Sequence, residues 1–134
     1  MSDVRFAKSY IEQLYIQKDM LGLYHLITTT EQSRILPEQL WLFCRLLEWA
    51  GSVRSGVWQY YDGLPAEKFD RISIGLDNND LAWIALFYRS GKTNPGEADQ
   101  HDALDYWLDS NRRDIDEAAL QLATSRKGWL MGSE

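Results

Sequence analysis

Apolar residues in this chain recur every three or four positions, and no stretch alternates apolar with polar residues for long enough to form a half-buried strand. That periodicity confines the chain to an all-α architecture. From Glu38, EQLWLFCRLLEWA sets Leu40, Phe43, Cys44 and Leu47 on one stripe, with Trp41 and Leu46 widening it. Pro37 suits the first turn of that helix and Gly51 its end. Ahead of it, Phe6, Ala7, Tyr10, Ile11 and Leu14 follow a start that Ser2 or Asp3 can cap, and Gly22 should interrupt that helix. A short second element, LGLYHLITT, leads into the polar TTEQS.

Beyond residue 63, LPAEKFDRISIGLDN predicts a helix from Pro65 to about Leu76, with Phe69, Ile72 and Leu76 inward. Asn79 or Asp80 should cap LAWIALFYRS, which is apolar nearly all round, as a central helix is, and which Gly91 closes. A helix follows from about Asp99 to Ser110. After a break over Asn111 to Asp114, DIDEAALQLATSRKGWL forms the last one, with acids near its start and Arg126 and Lys127 near its end, as the helix dipole favours. The expectation is a compact bundle of about six to seven helices. A length of 134 residues makes it a single domain, 1–134, able to bury a core without staples.

Two sequence facts narrow the function. The N-terminal MSDVRFAKSY is polar where a secretory signal is apolar, and the longest apolar run, LAWIALFY, is too short for a membrane span. A soluble, cytoplasmic protein is expected. The second fact is the charge. Residues 1–95 carry eleven acids against ten bases, whereas residues 96–117 carry eight acids against Arg112 and Arg113. The net −6 therefore resides in one short segment. A partner recognised by charge should be basic, and direct nucleic-acid binding, which needs the opposite sign, is disfavoured.

Catalytic chemistry is scarce. Cys44, the single cysteine, lies in an apolar stretch and reads as a buried, inert thiol. His25, among Leu23, Tyr24, Leu26 and Ile27, reads as a packing histidine. His101 and Asp105 are four apart and could share a metal, but no third ligand is indicated, and a solvated histidine on a helix flank is the commoner case. Neither a phosphate loop nor a nucleophile elbow occurs. No metal and no cofactor is expected, and a small enzyme built on His101 is the weakest of the functional readings.

The acidic segment is more specific. At about 100° per residue, Leu104, Trp107 and Leu108 share one side of their helix, while Asp99, Asp102, Asp105 and Asp109 fall within roughly 120° on the other. Tyr106 lies inside that arc, and no Lys or Arg stands among them. Such a row is commonly just the wet side of an amphipathic helix. Here the like charges cost about 0.2–0.5 kcal/mol per pair, and Tyr106 is the amphipathic type of anchor that interfaces use. Carboxylates spaced in this way resemble the charges along a nucleic-acid strand. Asp99, Asp102, Asp105, Tyr106, Asp109 and Asp114 are thus the candidate partner-binding residues.

The densest aromatic cluster, SGVWQYYDG at 55–63, sits between these helices. As a short helix it places Val57, Trp58, Tyr60 and Tyr61 on one broad face, with Gln59 opposite, which is the shape of a core plug. Taken in order, this cluster, the two helices after it, the RSG that closes the second, and Leu104-Asp105-Tyr106 resemble the bacterial family typified by DNA mimic protein nineteen. Gly56, Val57, Gln59, Tyr60 and Tyr61 match the family's aromatic motif, while Gly51, Arg54 and Ser55 stand where it carries Glu, Asn and Gly. The likeness covers about residues 37–110. It implies an all-helical, cofactor-free protein that presents an acidic surface to a DNA-binding regulator. A bacterial immunity protein neutralising a toxin is the alternative, since the same acidity and lack of catalytic residues serve it equally.

Overall fold

The computed structural model describes residues 6–93 and 98–132, with side chains over 6–92 and 101–132. The chain is all-α. Among the described residues run α1 (Lys8–Gln17), α2 (Met20–Glu31), α3 (Glu38–Gly51), α4 (Val57–Asp62), α5 (Ala66–Asn78), α6 (Ala82–Thr93), α7 (Ala98–Ser110), α8 (Arg112–Ser125) and α9 (Lys127–Leu130), with a single 3₁₀ turn at Ser52–Arg54. The number exceeds the six to seven expected because the last helix inferred from periodicity divides into α8 and α9 and the short α4 is a helix in its own right.

The break between the first two helices falls before Gly22, for a physical cause that composition hides. Lys18 adopts the left-handed conformation, φ 52°, and the N–H of Asp19 reaches back to the Leu14 carbonyl at 3.0 Å. That is a Schellman stop made without glycine. Asp19 then caps α2 by accepting from the Gly22 N–H at 2.9 Å, so Gly22 lies inside a helix rather than ending one. The proposed caps Ser2 and Asp3 lie outside the described residues. Helix α2 continues through Thr28, Thr29 and Thr30, whose hydroxyls bond back to the carbonyls of Tyr24, His25 and Leu26. At the other end of the chain, Thr124 and Ser125 turn their hydroxyls onto the carbonyls of Leu120 and Leu122, and α8 stops there.

Helix α3 is the central one, not α6. Leu40, Trp41, Leu42, Phe43, Cys44, Leu46, Trp49 and Ala50 are all buried, so side chains leave α3 in nearly every direction and need cover on each. Helices α2, α5 and α8 pack against it, α8 along much of its length. Covering each such Leu or Phe contributes ~1.5–3 kcal/mol, which makes α3 the main source of cohesion. Asn79 ends α5 by donating to the Gly75 carbonyl and also bonds Glu38 and Gln39 at the start of α3. It therefore acts as a stop for α5 and a tie to α3, not as the cap of α6. Asp80 takes a left-handed turn at φ 62°, and Leu81 supplies the first carbonyl of α6.

Helix α4 contains the aromatic cluster. Gly56 precedes it at φ 91°, a conformation that a side chain would strain. Val57 and Tyr61 are buried and Tyr60 is half-buried, but Trp58 is 51% exposed, so the plug is narrower than the sequence suggests. Tyr61 Oη accepts from Trp49 Nε1 on α3 at 3.0 Å and donates to the Tyr88 carbonyl on α6 at 2.5 Å. The Tyr60 and Tyr88 hydroxyls meet at 2.8 Å. Burial pushes the Tyr60 phenol up to about 12 and those of Tyr61 and Tyr88 higher, so all three stay neutral and able to donate.

Gly91, expected to close α6, lies within it, and its missing side chain is where the Tyr61 ring rests. A Cβ at this position would stand 2.2 Å from two ring carbons of Tyr61. Gly91→Ala should therefore destabilise the protein by about 1–3 kcal/mol through overpacking, which outweighs the ~1 kcal/mol gained in helix propensity. At Gly51 an added Cβ meets nothing within 4 Å, and Gly51→Ala should be neutral or slightly stabilising. Urea unfolding of the two variants separates these outcomes.

Candidate interaction surface

Helix α7 is attached to the rest of the fold by Leu104 and Leu108, both buried, and by His101. The solvated histidine expected at 101 is a buried one, 8% exposed. Its Nε2–H donates to the Gly91 carbonyl at 3.0 Å, and its ring stacks on Tyr61, centroids 6.2 Å apart and 10° between planes. His25 is the reverse case, exposed on α2 with its ring edge-on to Tyr24. The immediate neighbours, apolar around His25 and polar around His101, do not report which helix face meets the core.

The paired ligand arrangement of His101 and Asp105 does not form, because each is engaged elsewhere. Asp105 Oδ1 accepts the Val57 N–H at 2.9 Å, across 48 residues of chain. Helix α4 begins without a side-chain cap of its own, so Asp105 supplies one from α7 and places a negative charge at the positive end of that helix. Among the described residues no group of three or more His, Cys, Asp or Glu could hold a metal. Cys44 is fully buried, and burial pushes its thiol up to about 12, which removes it as a nucleophile near neutral pH.

The other acids of the segment divide by partner. Asp116 is paired with Arg112 at 3.0 Å and Glu117 with Arg113 at 3.6 Å, each within α8. Arg112 also donates to the Ala50 carbonyl at the end of α3. Asp102, Asp109 and Asp114 are exposed, and no cation among the described residues pairs with them. Tyr106, at 76% exposure, stands among them on α7. Asp99 belongs to α7 by its backbone, and its side chain lies outside the described ones. Of the six candidate residues, Asp102, Tyr106, Asp109 and Asp114 are exposed, and Asp105 serves the fold.

The outer side of α6 adds a feature that the periodicity of LAWIALFYRS concealed. Trp83 is 42% and Leu86 67% exposed, so part of the apolar surface of α6 faces outward. The signal lay in the run itself: a helix that is apolar all round either sits at the centre or leaves a face uncovered, and α3 already holds the centre.

These placements separate structural from surface carboxylates by stability. Asp105→Ala should cost about 0.5–2 kcal/mol, the range for a lost N-cap, and Asp105→Asn less, since the amide oxygen still accepts. Asp102→Asn and Asp109→Asn should stay within about 0.5 kcal/mol of the parent. Thermal unfolding of the four single variants measures the difference.

No helix among the described residues is long and apolar enough to cross a membrane. No family model, curated protein or solved structure matches the chain.

Proposed function

We propose that this chain is a non-enzymatic interaction protein of the cytoplasm, a single helical bundle whose acidic surface on α7 and the start of α8 covers the basic surface of a protein partner. The partner is a DNA-binding regulator, met in the manner of nucleic-acid mimicry that the resemblance implies. The reading requires no cofactor and no direct contact with nucleic acid or membrane.

The observation that supports it is the trio Asp102, Asp109 and Asp114, exposed and without a cation partner among the described residues, beside the exposed ring of Tyr106. Every other acid described in the segment is held by a partner inside the fold. A desolvated arginine or lysine from outside would find three unpaired carboxylates and an aromatic platform, which provides both charge and cation–π contacts.

The test is capture of the partner on the immobilised chain, followed by titration of the purified partner against the parent and the Asp102→Asn, Asp109→Asn, Asp114→Asn triple variant. Asp105 is left untouched so that the fold is preserved. The expected result is a basic protein whose affinity falls by about tenfold or more in the triple variant. Affinity should also weaken with added salt, because exposed charges are screened beyond ~8 Å at physiological ionic strength, and duplex DNA should compete. A partner that binds the triple variant with unaltered affinity overturns the reading. A captured toxin whose activity the chain suppresses assigns it instead as an immunity protein.

A further inference from the structure

We infer that the cavity between α1, α2 and α9 binds a small carboxylate bearing a short apolar tail. Its volume is about 250 Å³. That exceeds the ~150 Å³ of a cavity able to hold a benzene ring and falls just short of the ~300 Å³ at which pockets for drug-sized ligands begin. The apolar part of its wall is made by Ile11 on α1, Leu26 on α2 and Leu130 on α9, all buried. Thr30, also buried on this wall, donates its hydroxyl to the Leu26 carbonyl at 2.9 Å, so its O–H is not free for a polar guest.

Two cations also line the cavity, Lys8 on α1 and Arg34 in the segment after α2. Each has an acid within reach along the chain, and in both cases that acid is taken. Glu12, four residues after Lys8, bonds Lys127 at 2.6 Å, and Glu31, three before Arg34, bonds Arg45 at 3.0 Å. No acid among the described residues pairs with Lys8 or Arg34. The Arg34 guanidinium lies over the Trp129 ring, 3.9 Å from its centroid, which fixes its plane and leaves its N–H edge for a planar acceptor. Helix α1 begins at Lys8 without a side-chain cap, so the positive end of its dipole adds to the charge of that residue.

Together these groups select the guest. An inorganic anion meets Lys8 and Arg34 but leaves the wall of Ile11, Leu26 and Leu130 uncovered. A neutral apolar molecule covers that wall but leaves two cations without a counter-charge. A carboxylate is planar and accepts two parallel N–H bonds from a guanidinium, and its tail takes the apolar wall. No described residue of the wall comes from α7 or α8, so this site and the acidic-surface reading stand or fall separately.

Isothermal titration of hexanoate, acetate and hexanol against the full chain, with amide and indole N–H shifts followed by NMR, provides the test. Hexanoate should bind about tenfold or more tightly than acetate, the gain expected from covering its added methylenes. It should also bind about tenfold or more tightly than hexanol, which lacks the charge. Its binding should shift the Trp129 indole N–H and the amides of Thr30 and Leu130. Lys8→Gln with Arg34→Gln should reduce hexanoate affinity to that of hexanol, and Arg34→Lys, which keeps the charge but not the fork, should fall between. Arg113→Gln, outside the cavity, should bind as the parent does. Equal affinity for hexanoate and acetate overturns the role of the apolar wall. Equal affinity for hexanoate and hexanol, or indifference to the double variant, overturns the role of the cations. No binding of hexanoate, or shifts confined to other residues, overturns the site. Hexyl phosphate binding about tenfold more tightly than hexanoate reassigns the head to a phosphate monoester and overturns the carboxylate.

Discussion

One phenol holds the second half of the fold in register. The Tyr61 hydroxyl receives the indole N–H of Trp49 and donates to the backbone of Tyr88, while its ring rests on Gly91 and against His101. Through it the six-residue helix α4 fastens α3, α6 and α7 together. A helix that short has no stability of its own, since nucleation is unfavourable and isolated helices need ~12–15 residues to persist. Tertiary contact must hold it. Because the Trp49 indole is fully buried, its N–H must have an acceptor, and an apolar ring at 61 would leave it without this one, at a cost of about 1–3 kcal/mol.

The acidic segment is tied to the same pin. Once α4 is fixed by Tyr61, its first N–H groups lie beside α7, and Asp105 meets one of them. The carboxylate at the middle of the acidic stripe thus belongs to the aromatic motif. This is a physical reason for the two to occur in one chain, independent of any partner. It also changes what the stripe can do: the surface left for recognition is the pair Asp102 and Asp109 with Tyr106 between them, extended by Asp114 at the start of α8.

Much of this was legible from the residues. Pro37 and Gly51 bound α3, and Pro65 stands at the N-cap of α5, because proline and glycine act locally. Leu104 and Leu108 face inward as their spacing requires. What sequence reading missed depends on contacts between distant segments. Periodicity cannot rank α3 and α6 for the central place, since both runs are strongly apolar and only packing decides which is covered. It cannot show Lys18 in a left-handed turn, where glycine is the usual signal. Nor can it separate Asp105 from Asp102, three residues earlier on the same helix, because the difference is an N–H contributed by residue 57. His101 was misplaced for a similar reason: the residues around it in sequence are polar, and the carbonyl that accepts the hydrogen bond from its ring N–H belongs to Gly91.

Helix electrostatics separates the remaining acids further. Asp114 lies in the first turn of α8, where the dipole rewards a negative charge by ~0.3–1 kcal/mol, so its presence has a structural explanation. Asp102 lies nearer the start of α7 than its end, where the field is mild. Asp109 lies in the last turn of α7, the end at which the dipole disfavours an acid, and that turn carries no base. Its potential partner four residues on, Arg113, is paired with Glu117 instead. The start of α8 offsets the penalty in part, yet no hydrogen bond among the described residues reaches the Asp109 carboxylate. Of the exposed acids it is the one the fold rewards least. A carboxylate placed where folding gains nothing from it, on the same face as Tyr106, is the residue on which an interaction with a basic partner should depend most.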